Sequence, residues 1–155
     1  MKAHIRLACP QEAEILSEIA FRSKSYWGYE QEYMQLAKAK LRITPDNIID
    51  DLVFVLEMSC DILGFYELKR CNEKECELVW LFIDPIHIRK GHGKVLLNHA
   101  IEKARAENFE FIKIKSDPNA ENFYKLFGAI NVGKAHSTVN QSMELPILKI
   151  ILREN

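Results

Sequence analysis

Six consecutive residues, Arg89-Lys90-Gly91-His92-Gly93-Lys94, combine three cationic side chains with two glycines, a set suited to holding a phosphate-bearing anion. An apolar run at 78–83, closed by Asp84-Pro85, precedes them, and Leu97, Ala100, Ile101 and Ala104 recur after them at helical spacing. The alternating run Phe111-Ile112-Lys113-Ile114-Lys115 then reads as a strand. Strand, glycine turn, helix and strand make a βαβ unit, whose right-handed crossover leaves the two strands parallel. Their carboxyl ends share one edge with the start of the helix, where backbone N–H groups lack partners. Gly91 and Gly93 have no side chain to keep a pyrophosphate from those amides. Two other phosphate motifs do not fit. A P-loop needs glycine and Ser or Thr where Ile88 and Val95 stand, and a dinucleotide fingerprint needs glycine or alanine at Leu96. An ordinary left-handed turn accounts for the glycines equally well.

A second segment lies just after the parallel strand: Asp117-Pro118-Asn119-Ala120-Glu121-Asn122-Phe123-Tyr124-Lys125-Leu126-Phe127-Gly128-Ala129. Its Asn-Ala, Phe-Tyr and Gly-Ala pairs resemble the second motif of the GNAT acetyltransferases, and Lys90-Gly91-His92-Gly93 is similar to their first. One departure is Ile88, where that family usually has Gln or Arg; the backbone N–H that Ile88 supplies is unaffected. The resemblance implies a mixed α/β fold: a central twisted sheet of about seven strands flanked by about four helices, with parallel strands 4 and 5 splayed. It also implies acetyl-CoA as co-substrate, no metal, and a primary amine of a small molecule or protein as acceptor. The end of the Leu81-Phe82-Ile83 strand would pair with the pantetheine amides as if the coenzyme were an added strand. Residues 88–94, with Ile88, Arg89, Lys90, Gly91, His92, Gly93 and Lys94, would hold the pyrophosphate, and Asn119 and Asn122 would hydrogen-bond the pantetheine arm. Tyr124 matches the family's general acid, which protonates the departing thiolate.

Aminolysis of a thioester also needs a neutral amine, and Glu77, at the start of the central strand, is the candidate base; a solvated hairpin carboxylate is the alternative. Asn119 could equally be a helix cap and Tyr124 a packed aromatic beside Phe123. Tyr26, Trp27 and Tyr29, between the first two helices, border the acceptor pocket of the resembled fold, or else clamp those helices together. His87 and His92 are five apart, a spacing that does not put two imidazoles on one helical face as a zinc pair requires.

The elements that must place these residues are legible in outline. Pro10 opens a helix with Ile15, Leu16, Ile19 and Ala20 inward; Tyr33, Met34, Ala37 and Leu41 mark a second, ended by Thr44-Pro45-Asp46. A hairpin follows over 52–66, then the strand at 78–83, apolar on both faces and so central. Residues 118–127 make a short helix stopped by Gly128, and strands near 129–135 and 143–152 end the chain. The 155 residues, 48% hydrophobic, suit one domain over 1–155. A balance of 21 basic and 22 acidic residues favours neither nucleic acid nor an anionic membrane. No window carries the ~18 apolar residues of a membrane span or a secretory signal, and the spacing of Cys9, Cys60, Cys71 and Cys76 suits free thiols in the cytoplasm. The strand at 145–150 could be an edge that pairs with a second copy as a homodimer, or one that Pro146 blocks. A coenzyme-binding sensor without turnover is the alternative function.

Overall fold

The computed structural model describes residues 2–140 and 143–153. Its regular elements are β1 (His4–Leu7), α1 (Ala13–Ser25), α2 (Gln31–Lys40), α3 (Pro45–Asp50), β2 (Leu52–Met58), β3 (Asp61–Arg70), β4 (Glu75–Ile83), α4 (His92–Ala106), β5 (Phe111–Lys115), α5 (Glu121–Lys125), β6 (Ile130–His136) and β7 (Glu144–Ile151). The seven strands join one sheet in the order β1-β2-β3-β4-β5-β7-β6, with β4 and β5 parallel. This is the mixed α/β architecture that the resemblance implies. The chain divides into two compact units, residues 1–67 with 80–100 and residues 68–79 with 101–155.

In the first unit α1 buries Leu16, Ile19 and Ala20, the stripe its helical spacing predicts, but Ile15 is 47% exposed. Ile15 lies one position round from that stripe, and one residue of helix turns it to the rim. A fifth helix, α3, occupies what reads from sequence as a turn. Pro45 sits in its first turn, the Thr44 Oγ1 accepts the Asn47 N–H (3.2 Å), and the Asn47 Oδ1 accepts the Thr44 N–H (3.0 Å). That reciprocal cap holds a helix too short to persist by propagation alone. Residues 53–56 are all buried, as are residues 63–68, so β2 and β3 are covered on both faces, as continuous apolar runs require. Ser59 and Cys60 join them in left-handed conformations (φ 53° and 69°), the two-residue turn whose twist suits a hairpin.

Gly64 lies in close contact with the end of β4. A Cβ built there would lie 2.5 Å from the Phe82 carbonyl oxygen and 2.6 Å from the Ile83 side chain. Only hydrogen fits against the end of β4, and a glycine inside a strand pattern is the sequence signal for such contact.

In the second unit β7 lies between β5 and β6, pairing antiparallel with each. The terminal strand is therefore internal to the sheet, and β6, exposed along nearly its whole length, is the edge. Pro146 survives there because its carbonyl accepts the Ser116 N–H (2.9 Å), just past the last β5 pair, Lys115↔Ile147, where no ladder N–H is demanded of it.

Gly64→Val should destabilise the protein by roughly 1–3 kcal/mol, the usual cost of overpacking a close contact. Urea unfolding at constant m-value measures it. A variant as stable as the parent would show that the β3–β4 approach at Phe82 is not tight.

Candidate active site

β4 is central in strand order, yet Trp80, Leu81, Phe82 and Ile83 are only half-buried. The expectation of a strand covered on both faces is therefore not met: Cys76 and Leu78, two apart and so on one face, are buried, while the other face and the whole second half are half-buried. The parallel register with β5 runs from Glu75↔Phe111 to Glu77↔Lys113, and β4 continues from residue 78 to 83 past that last pair. Apolar backbone left half-open beyond its paired segment has the form of a place for an extended ligand.

The strand ends at Asp84. Its N–H donates to the Leu63 carbonyl (2.8 Å), and its carbonyl accepts the His87 N–H (2.8 Å), closing a single 3-10 turn over Pro85–His87. Ile88 returns to extended backbone, then Arg89 (φ 65°) and Gly91 (φ 81°) adopt left-handed conformations. A left-handed non-glycine costs about 1–2 kcal/mol, so the Arg89 backbone holds strain of the kind found at ligand-binding turns. A Cβ at Gly91 would meet nothing within 4 Å. Its glycine serves the positive φ and an open face, not tight packing.

The first bond inside α4 runs from the Val95 N–H to the Gly91 carbonyl (3.3 Å), which leaves the amides of His92, Gly93 and Lys94 ahead of it at the positive end of a 15-residue helix. Arg89, Lys90 and Lys94 are exposed, and among the described residues none of them has an acidic partner. The His92 imidazole titrates below its ordinary value because burial disfavours the cation, with His87 and Lys90 adding to the effect. His92 therefore stands as a neutral ring near pH 7, with the His87 ring 6.5 Å away. Among the described residues no group of three or more His, Cys, Asp or Glu could hold a metal ion.

The second predicted segment begins with a cap. Asp117 Oδ1 accepts both the Asn119 N–H (2.8 Å) and the Asn119 side-chain amide (2.9 Å). Capping thus falls to Asp117, while Asn119 and Asn122 are exposed. Gly128 (φ 89°) ends the α5 turn, and the Ala129 N–H donates to the Tyr124 carbonyl (3.2 Å). Tyr124 is 6% exposed, with the Phe123 ring edge-on at 5.3 Å and no hydrogen bond to its hydroxyl among the described residues. Burial, helped by the charge of Asp117, pushes its phenol well above the usual tyrosine value. Glu77 is half-buried opposite Lys113, at the paired end of β4 and ~20 Å along the strand from Ile83.

Between α1 and α2 the aromatics divide their roles. Tyr29 stacks on Tyr33 of α2 (4.6 Å) beneath the Lys24 ammonium (4.9 Å), the helix clamp, whereas Tyr26 and Trp27 are 43% and 46% exposed. Three residues to which the sequence reading gives no role in the site also stand in this region: Gly64 against the end of β4, and Arg22 with Asp84, which form an ion pair at 2.7 Å. A lone glycine in a strand could have pointed to the first. Nothing local could have joined the other two across 62 positions.

The sequence profile of the acetyltransferase (GNAT) family matches residues 14–129, from the first turn of α1 through both predicted motifs. The chain belongs to that family. Its GNAT fold is shared with solved structures of low sequence identity. The PaiA N-acetyltransferase of Thermoplasma acidophilum, crystallised with coenzyme A, has a TM-score of 0.77 at 21% identity, over 97% of this chain and 99% of that one. The ribosomal-protein-S18-alanine N-acetyltransferase of Escherichia coli gives 0.75 at 14%, over 99% and 96%. The yncA protein of Salmonella typhimurium, in a structure with its cofactor acetyl-CoA, gives 0.72 at 16%, over 100% and 96%. No curated protein sequence matches the chain.

Because Gly91 is held by its positive φ and not by crowding, Gly91→Asn should keep the parent's stability within about 0.5 kcal/mol, while Gly91→Val should lose roughly 1–2 kcal/mol. Thermal unfolding of the two variants separates these effects. Equal losses would assign the glycine to packing instead.

Proposed function

We infer that this acyltransferase moves an acetyl group from acetyl-CoA to a primary amine of a small molecule or protein, by direct attack within a ternary complex. The observation that carries the reading is the half-open apolar end of β4 running into a left-handed turn with bare helix-start amides and three cations that have no acidic partner among the described residues. A diphosphate fits that turn by charge and by backbone N–H donors, and a pantetheine arm fits the open strand by its amides. The relatives crystallised with coenzyme A and acetyl-CoA support the same ligand here.

In the reaction the amine nitrogen attacks the thioester carbonyl carbon, the C–S bond breaks, and a proton leaves nitrogen while another reaches sulfur. Tyr124 gives the sulfur its proton and is returned to the phenol by solvent. A thiol of ordinary pKa near 8.5 is more acidic than a phenol pushed above 10, so full transfer to a free thiolate would run uphill. Donation is therefore coupled to C–S cleavage, when charge is building on sulfur. Glu77 accepts the ammonium proton, directly or through water, and Tyr26 and Trp27 line the acceptor side, with Tyr29 behind them. Asn119 and Asn122 are exposed and available to the pantetheine arm. The buried Cys76 thiol, pushed up to about 12 by its surroundings, is a poor nucleophile, which favours direct attack over an acyl-enzyme. Free thiols at Cys9, Cys60, Cys71 and Cys76 suit a single catalytic domain working in the cytoplasm.

Turnover of acetyl-CoA against a panel of amines tests the whole reading. Tyr124→Phe should lower kcat about 10²-fold without weakening coenzyme binding, and the parent should show no alkaline limb from Tyr124 below about pH 9. Equal rates for parent and variant on a good acceptor would remove Tyr124 from the chemistry. By calorimetry, coenzyme affinity should rise as pH falls from about 8 to 6, because bound diphosphate draws the depressed His92 back toward its cationic form, and His92→Asn should flatten that slope. Binding without turnover of any amine would identify a coenzyme sensor instead.

A further inference from the structure

Asp84 is one of four polar or charged residues buried among those described, and the surroundings of its carboxylate are uneven. Oδ2 accepts one N–H from Arg22 (2.7 Å), while Oδ1, which is buried, has no hydrogen-bond partner among the described residues. Arginine can meet a carboxylate with two parallel bonds, which would have satisfied both oxygens. A pair selected for stability alone would take that form, and an unmet buried acceptor in a native fold calls for another explanation.

The backbone on either side supplies one. Asp84 is tied at its N–H to Leu63 and at its carbonyl to His87, so its side chain sits at the fixed point where β4 becomes the anion-binding turn. Arg22 lies in the last turn of α1, and its carbonyl accepts the Tyr26 N–H (3.1 Å). One residue therefore reaches the end of β4 with its side chain and Tyr26 with its backbone, while the Trp27 N–H goes to the Lys24 carbonyl (3.3 Å) within the same helix end. The Arg22 side chain is 49% exposed, so its unused N–H groups remain in water while Asp84 restrains the head. Glu18, one helical turn earlier, adds a field that favours the guanidinium.

We propose that Arg22 and Asp84 are a positioning pair, which sets the Tyr26-Trp27 segment against the carboxyl end of β4 so that an acceptor amine is aligned with the thioester. The inference rests on the acetyltransferase reading above. Neither residue touches the reacting atoms. Their loss should spoil acceptor alignment and leave coenzyme binding nearly intact, because the amides that hold the diphosphate belong to the backbone of residues 88–94.

The test combines kinetics with a probe that needs no turnover. Arg22→Gln and Asp84→Asn should each raise KM for the acceptor about tenfold, with coenzyme Kd within about threefold of the parent. Arg22→Lys should stay near the parent, since a single-point contact is all the ammonium must replace. In a Trp80→Phe background Trp27 is the remaining tryptophan, and acrylamide quenching of its fluorescence should increase in Arg22→Gln and Asp84→Asn but not in Arg22→Lys. Parental KM and parental quenching in both disruptive variants would overturn the proposal. So would a loss of coenzyme affinity, acceptor KM and melting temperature in equal measure, which marks a merely structural pair. If the parent turned over no amine, the acetyltransferase reading would fall, and Trp27 quenching alone would still decide whether the pair positions the segment.

Discussion

The backbone of Asp84 is the constraint on which the candidate coenzyme region depends. Its N–H is given to Leu63 in β3 and its carbonyl to His87 in the following turn, so the strand is held to its neighbour up to its last residue and then made to bend within three more. Gly64, next to Leu63 in β3, presses on the same strand end, leaving no room for a side chain between β3 and the Phe82 carbonyl. A strand anchored so closely can leave its apolar end half-open without losing register, and that openness is what an extended ligand would use.

The turn that follows carries three features that fit the proposed anion site. Arg89 and Gly91 adopt left-handed backbone, three exposed cations have no acidic partner among the described residues, and the first amides of α4 have no helical partner. Each of these features is unfavourable by itself, through strain, like-charge repulsion or unmet donors. All three would become favourable together if, as proposed, an anion with several oxygens occupies the turn. The electrostatics are local by necessity, since the chain as a whole carries a formal charge of only -1.

Tyr124 has the opposite character. It is held in place by packing against Phe123 and by the Ala129 bond to its carbonyl, and burial keeps its proton on the phenol. A phenol so placed keeps its proton across the physiological range, and in the proposed mechanism it would give that proton up only as charge builds on the departing sulfur. That behaviour suits a leaving group whose charge exists only briefly. Cys76, buried and likewise shifted upward, is withheld from nucleophilic chemistry by the same desolvation.

The elements set by local spacing were legible from sequence: β5 at 111–115, the inward face of α4, the turn with its glycines, and the Gly128 stop, because helical and strand periodicities and positive φ are properties of neighbouring residues. Both family motifs were legible for the same reason, as short strings of residues. What needed the tertiary structure is of longer range. Ile15 turned outward at the rim of its stripe, α3 formed under a reciprocal cap, β7 settled inside the sheet instead of at its edge, and the second half of β4 stayed half-open. The Arg22–Asp84 pair joins residues 62 positions apart. Hydrophobic pattern records which residues avoid water, but the partner that covers each one, or leaves it bare, is chosen only when distant strands and helices pack.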